Sequence, residues 1–187
     1  MSDLLFTSKR KSALQLGEVY FWTATIKDWR HLLKPDKYKV MLAEVLRALQ
    51  QNNLIRVYGF VLMPNHVHLI WKPLNKNGKE MPSASFIKAT AHLILKDLKE
   101  NHPAVLPYFK VEEKEREYRI WRRDSLAVLV YSREMLEQKL HYLHQNPLQE
   151  HWQLAESPET YRWSSACFYE TGVDAFGFLT HYQERMS

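Results

Sequence analysis

The sequence predicts an α+β domain of the ferredoxin-like, split βαβ plan, an antiparallel sheet with its helices on one face. Three observations predict it. Runs rich in β-branched and aromatic residues alternate with amphipathic runs at helical spacing. Their order is strand, helix, strand, strand, helix, strand, helix, which makes two βαβ-like halves sharing one sheet. The two middle strands are separated only by Pro64 and Asn65, residues that suit a tight turn and force an antiparallel hairpin.

The elements follow in order. "EVYFWTATI" (18–26) has the composition of a strand. Pro35 and Asp36 open a helix to about Gln51, in which Tyr38, Met41, Leu42, Val45, Leu46 and Leu49 form one apolar stripe. "LIRVYGFVLM" (54–63) and "HVHLIWK" (66–72) are the hairpin strands. Ser83 or Ser85 is placed to cap a helix over 84–100, with Ile87, Ala91, Ile94, Leu95 and Leu98 inward. The charge run "EEKEREYRIWRRD" becomes the fourth strand at Tyr118–Arg122. Ser132 caps a helix over 133–146, and Pro147 stops it, because the residue before a proline avoids the α region. One domain over 18–147 is expected, with a basic N-terminal arm (1–17) and a C-terminal extension (148–187) packed on the same domain. Repeats, low-complexity tracts and a dividing linker are all missing from the sequence.

Composition narrows the function. There are 26 basic and 21 acidic residues, a net charge of +5, which mildly favours a polyanionic partner such as nucleic acid. Aromatics make up 13% of the chain, and interleaved with basic residues they suit stacking on unpaired bases. Cys167 is the single cysteine, so neither an intrachain disulfide nor a Cys-based zinc site can form. That usage fits a reducing cytoplasm. The N-terminal residues lack the apolar stretch of a signal peptide, and no apolar run approaches the roughly 18 residues of a membrane span.

Two constellations carry chemistry. His66 and His68 stand at i and i+2 of a strand, so both imidazoles project from one face, about 7 Å apart along the chain. Neutral imidazoles so placed can bind one divalent cation. Tyr142 and Asn146 stand at i and i+4 of the last helix, one above the other, beside a core stripe of Leu136, Leu140 and Leu143. Lys72, Arg122, Arg123 and Arg162 lie near these motifs and can meet phosphates. Trp121 and Trp163 are candidates to stack on bases.

"GFVLMPNHVHLIW", "IWRRD", "LHYLHQNPL" and "YRWSSACFYETG" follow one another in this order. Together they resemble the IS200/IS605-type transposases, and within them the REP-associated tyrosine transposases, which are single-tyrosine (Y1) HUH endonucleases. The similarity spans roughly residues 18–170. It implies the HUH endonuclease type of ferredoxin-like fold, and it implies roles. His66 and His68 would hold Mg²⁺ or Mn²⁺, with Asn146 as third ligand. Tyr142 would be the nucleophile, with His144 a supporting residue behind the site. The substrate would be single-stranded DNA beside an imperfect hairpin, cut through a 5′-phosphotyrosine link that strand transfer can reverse. Members work as homodimers or as monomers, and both states stay open here. Many relatives carry "YYDH"-like residues where this chain reads "SLAV" (125–128). Two imidazoles and an amide suit Mn²⁺ better than Mg²⁺, so water and phosphate oxygens would complete the shell. A hairpin-DNA-binding protein without turnover is the alternative from the binding class.

Overall fold

The computed structural model describes residues 14–186, so most of the expected N-terminal arm lies outside the described residues. Six strands and four α-helices occur in it: β1 (Tyr20–Thr25), α1 (Asp36–Gln51), β2 (Ile55–Leu62), β3 (His66–Pro73), α2 (Pro82–Asn101), β4 (Lys110–Glu113), β5 (Arg116–Tyr118), β6 (Leu126–Leu129), α3 (Arg133–Gln145) and α4 (Ala166–Thr171). The main sheet runs β2-β3-β1-β6 with every neighbouring pair antiparallel. This is the expected ferredoxin-like order, with β6 as the fourth strand.

Alternation along the strands divides the sheet into two faces. One carries Trp22, Leu69 and Trp71. The Trp22 and Trp71 rings lie 5.0 Å apart, and Phe86 of α2 meets Trp22 edge-on at 5.8 Å. α1 packs beside α2, joined by Asp97, which accepts from Lys37 Nζ at 2.6 Å and from Tyr38 OH at 2.8 Å. The two helices of the split βαβ core thus share this face, as expected. The opposite face carries Phe21, Thr23 and Thr25 of β1 beside Ile70, His68 and His66 of β3. α3 lies across this second face. Its approach is set by Gly59, where an added Cβ would fall 2.6 Å from Leu140 Cδ1.

Local chemistry explains most element ends. Ser132 Oγ accepts from the backbone N–H of Met135, the expected cap of α3. The helix gives way at Gln145 to a 3₁₀ turn over Asn146–Leu148. α2 departs from expectation. It begins at Pro82, which needs no N–H partner in a first turn, and neither Ser83 nor Ser85 caps it. Phe86 and Thr90 then take the centre of its buried stripe, while Ile87 and Ala91 lie half-buried.

The fourth strand also departs from expectation. Residues 118–122 do not form it; Leu126–Leu129 does, paired with Tyr20–Thr23. Arg116–Tyr118 are drawn instead into a small hairpin with Lys110–Glu113, where Glu113 pairs with Arg116 and Arg119. Trp121 makes only a single bridge to Ile26. The "SLAV" stretch therefore supplies most of a sheet strand.

The free edge of β2 is covered by the C-terminal segment. Ser165 N donates to Phe60 O, Leu62 N to Trp163 O, Tyr161 OH to Leu62 O and Thr180 N to Val57 O. An unpaired strand edge invites association, and this segment closes it. That gives the "RWSS" residues a structural role. Among the described residues no helix is long and apolar enough to cross a membrane.

Candidate active site

His66 and His68 open β3 because the turn before it is tightly held. Met63 N donates to His66 O, while Pro64 O and Asn65 O accept from Leu33 N and Ile26 N. The rings project from the α3 face with centroids 4.7 Å apart. Each is 7% exposed. Asn65 fixes the first ring: its Oδ1 can only accept, so His66 Nδ1, 2.6 Å away, carries the proton. Thr23, directly across the β1–β3 ladder, fixes the second, with Oγ1 at 2.7 Å from His68 Nδ1. Asn65 thus leaves His66 Nε2 as a free lone pair able to ligate a metal, and Thr23 anchors the His68 ring through Nδ1, turning its Nε2 away from that contact.

The electrostatics agree. Burial holds the His66 imidazole down to about 4, helped by nearby His151. Burial also pushes His68 well below its ordinary value, with His66 and Lys139 adding repulsion. Both rings are therefore neutral at physiological pH.

α3 brings the tyrosine. The Tyr142 ring meets His68 at 5.7 Å and Phe21 at 5.9 Å, both edge-on, and Phe21 stacks on His68 at 5.0 Å. Tyr142 is 47% exposed, so its hydroxyl is not locked in the core. Asn146 follows one turn later and is 5% exposed, and its side-chain amide has no hydrogen-bond partner among the described residues. The four side chains line one cleft of about 520 Å³, all contributed by this one chain.

The donor set fits a divalent cation: two oriented imidazole nitrogens and a buried, uncommitted amide. Among the described residues no three His, Cys, Asp or Glu side chains are grouped as a metal site, so a cation bound beside the two imidazoles would need the amide as its third protein ligand.

The remaining expected residues are placed differently. His144 points away from the cleft, its Nε2 2.8 Å from Ser165 Oγ, and burial lowers it to about 4. It ties α3 to the segment covering β2. Trp121 is buried, with Nε1 donating to Thr90 Oγ1, and offers no ring face to a base. Trp163 is likewise buried, bonded to Asp36. Lys72 sits at the far end of β3 from His66, and Arg162 lies exposed over Trp163. Arg122 and Arg123 are exposed on the segment beside the cleft, and Arg123 faces Glu113 at 3.4 Å.

Thr23, Thr25, Trp29, His31, Asn65 and Trp152 also line the cleft, and none of them is among the site residues expected from the sequence. Asn65 had a signal, being adjacent to the histidine pair in the turn. Thr23 had none, because only the β1–β3 register sets it opposite His68.

No family model and no curated protein matches the chain at significant similarity. Solved structures do. A REP-associated tyrosine transposase bound to a REP hairpin aligns over 93% of this chain and 92% of its own, with a TM-score of 0.61 and 14% identity. At that identity the likeness shows the fold: this chain is built on the α+β plan of that transposase. A protein assigned as a transposase in Deinococcus radiodurans R1 covers 74% of this chain and 97% of its own, at 17% identity. Its TM-score of 0.41 is too low to carry an argument.

Proposed function

We propose that this protein is a metal-dependent single-strand DNA endonuclease and strand transferase, acting on single strands beside a hairpin through a 5′-phosphotyrosine intermediate. One observation carries the reading: a half-exposed tyrosine shares a cleft with two buried, neutral histidines, each anchored through Nδ1, and an uncommitted amide. The solved transposase of the same fold, itself bound to a REP hairpin, supports a hairpin-bearing DNA partner.

The chemistry follows from the groups present. His66, His68 and Asn146 would hold Mg²⁺ or Mn²⁺. Such a cation, when bound, neutralises and orients the scissile phosphate. Tyr142 Oη attacks the phosphorus; the new bond is O–P, and the bond that breaks leads to the 3′ oxygen. The tyrosine proton is lost and the leaving 3′ oxygen gains one, so atoms and charge balance. The link formed is itself a phosphodiester, and a 3′-OH from another strand can reverse the step without ATP. Phe21 and His68 meet the tyrosine ring in T-shaped contacts, which limit how the ring can turn. Asn65 keeps His66 Nε2 free to ligate, and Thr23 holds the orientation of the His68 ring.

The test mixes the protein with labelled single-stranded hairpin DNAs from beside its own gene and Mn²⁺ or Mg²⁺, followed by a denaturing gel. A covalent protein–DNA band is expected that requires metal and disappears in Tyr142→Phe and His66→Ala. Hairpin binding without any such band would refute the reading in favour of a binding protein.

A further inference from the structure

Trp29 is a tryptophan in an unfavourable place. It is 56% exposed on the lip of the candidate active-site cleft. Its φ is 56°, and so is that of Asp28 before it. Left-handed backbone disfavours bulky side chains, and two such residues in succession persist only where local bonds hold them. Those bonds are present. Trp29 N donates to Ile26 O at 3.0 Å, Asn65 Nδ2 donates to Trp29 O at 3.2 Å, and Lys27 pairs with Asp28 at 2.7 Å. Asn65 is the same residue that orients His66, so one amide sets both the imidazole and the tryptophan.

Arg122 completes the arrangement. Its guanidinium lies over the Trp29 ring, 5.4 Å from the centroid, and its backbone N–H is anchored to Thr25 O. Trp29 lines the His66–Tyr142 cleft, whereas Arg122 lines a second cleft of about 590 Å³ between α2 and the β4–β5 hairpin. Five basic side chains and two carboxylates line that second cleft. The stacked pair therefore stands where an electropositive groove meets the tyrosine and histidines.

We propose that Trp29, backed by Arg122, is the stacking seat for an unpaired nucleobase next to the phosphate presented to Tyr142. A strand lying along the second cleft would pass over this seat into the first. A guanidinium on one ring face leaves the other for a base, and base–aromatic stacking needs no particular sequence. This inference rests on the single-strand DNA reading of the cleft, and its test separates the two.

The experiment measures fluorescence anisotropy of two labelled probes, a thymidine dodecamer and an abasic dodecamer with the same number of phosphates, without divalent metal. The wild-type protein is expected to prefer the base-bearing strand. Trp29→Ala should weaken thymidine binding about 5- to 150-fold, with abasic binding and the salt slope nearly unchanged, since phosphate contacts set those. Trp29→Phe should recover part of the loss. Trp29→Gly, which suits the left-handed backbone, should show the same loss while folding at least as stably as wild type. Full retention of the preference in Trp29→Ala, no preference in wild type, or equal weakening toward both probes would overturn the inference and leave the cleft reading intact. Wild-type protein that binds neither probe would overturn both.

Discussion

Gly59→Ala should loosen α3 from the sheet. The added Cβ would fall 2.6 Å from Leu140 Cδ1, 3.4 Å from Ser165 Oγ and 3.6 Å from Leu143 Cδ2. Carbon atoms pack at about 3.5–4.0 Å, so the first contact overlaps by about 1 Å. A leucine tip can swing, but Leu140 is 7% exposed and sits between buried Leu136 and Leu143. Overpacking of this kind costs about 1–3 kcal/mol. Alanine lowers the entropy of the unfolded chain, which returns about 0.4–1 kcal/mol. The net loss is therefore about 1–2 kcal/mol, a fall in Tm of about 2–8 °C for a chain of this size. Urea denaturation read by tryptophan fluorescence measures it. Leu140→Val removes the clashing Cδ1, so the double variant should be more stable than the two single losses predict, by at least about 0.5 kcal/mol. Gly59→Ala as stable as wild type, or strictly additive losses, would refute the argument that this glycine exists to seat α3. Because Tyr142 lies two residues beyond Leu140, covalent DNA linkage should fall with stability in Gly59→Ala and recover in the pair.

Asp97 should matter to acid resistance. Burial raises its carboxyl, but donation from Lys37, Tyr38 and Asn101 outweighs this and holds it at about 2. A depressed carboxylate stabilises the fold above its unfolded value of 3.8 and loses that contribution as pH falls toward 2. Asp97→Asn should therefore be less stable than wild type at neutral pH, with the difference shrinking below about pH 4 in acid titrations followed by circular dichroism. Thr23→Val keeps the side-chain shape but removes the partner of His68 Nδ1. The Mn²⁺ concentration giving half-maximal covalent adduct should rise about 10- to 100-fold. Ser165→Ala leaves Phe60 N without its hydroxyl acceptor and His144 Nε2 without its hydrogen-bond partner. Urea unfolding should show a loss of about 1–3 kcal/mol.

How far the sequence could be read varies from element to element. The β2–β3 hairpin was legible because its turn chemistry and its alternation agree. α3 was legible because Ser132, the Leu136–Leu140–Leu143 stripe and Pro147 all mark the same helix. The fourth strand was misplaced because "YRIWR" has strand composition, while its partner was decided by Glu113, which pairs with Arg116 and Arg119 and helps hold the small hairpin. The start of α2 was misread because serine capping and proline at a first turn compete, and Pro82 prevailed. Trp121 and Trp163 carried the composition of a stacking surface, yet both rings are buried and their indole N–H groups are satisfied inside.

By itself the sequence determined the spacing of the chemistry. An i, i+2 histidine pair on a strand and an i, i+4 tyrosine and asparagine on a helix follow from local periodicity, which needs no partner. Only the tertiary structure decided that these two faces meet. The approach of α3 depends on Gly59, far upstream in the chain of the Leu140–Leu143 turn it admits, and on the Ser165 segment that locks the edge of β2. The anchoring of the His68 ring depends on a β1–β3 register that brings in Thr23, and the seat of Trp29 depends on the Asn65 side chain. Such contacts join residues far apart in the chain, and no local pattern encodes which of them will touch.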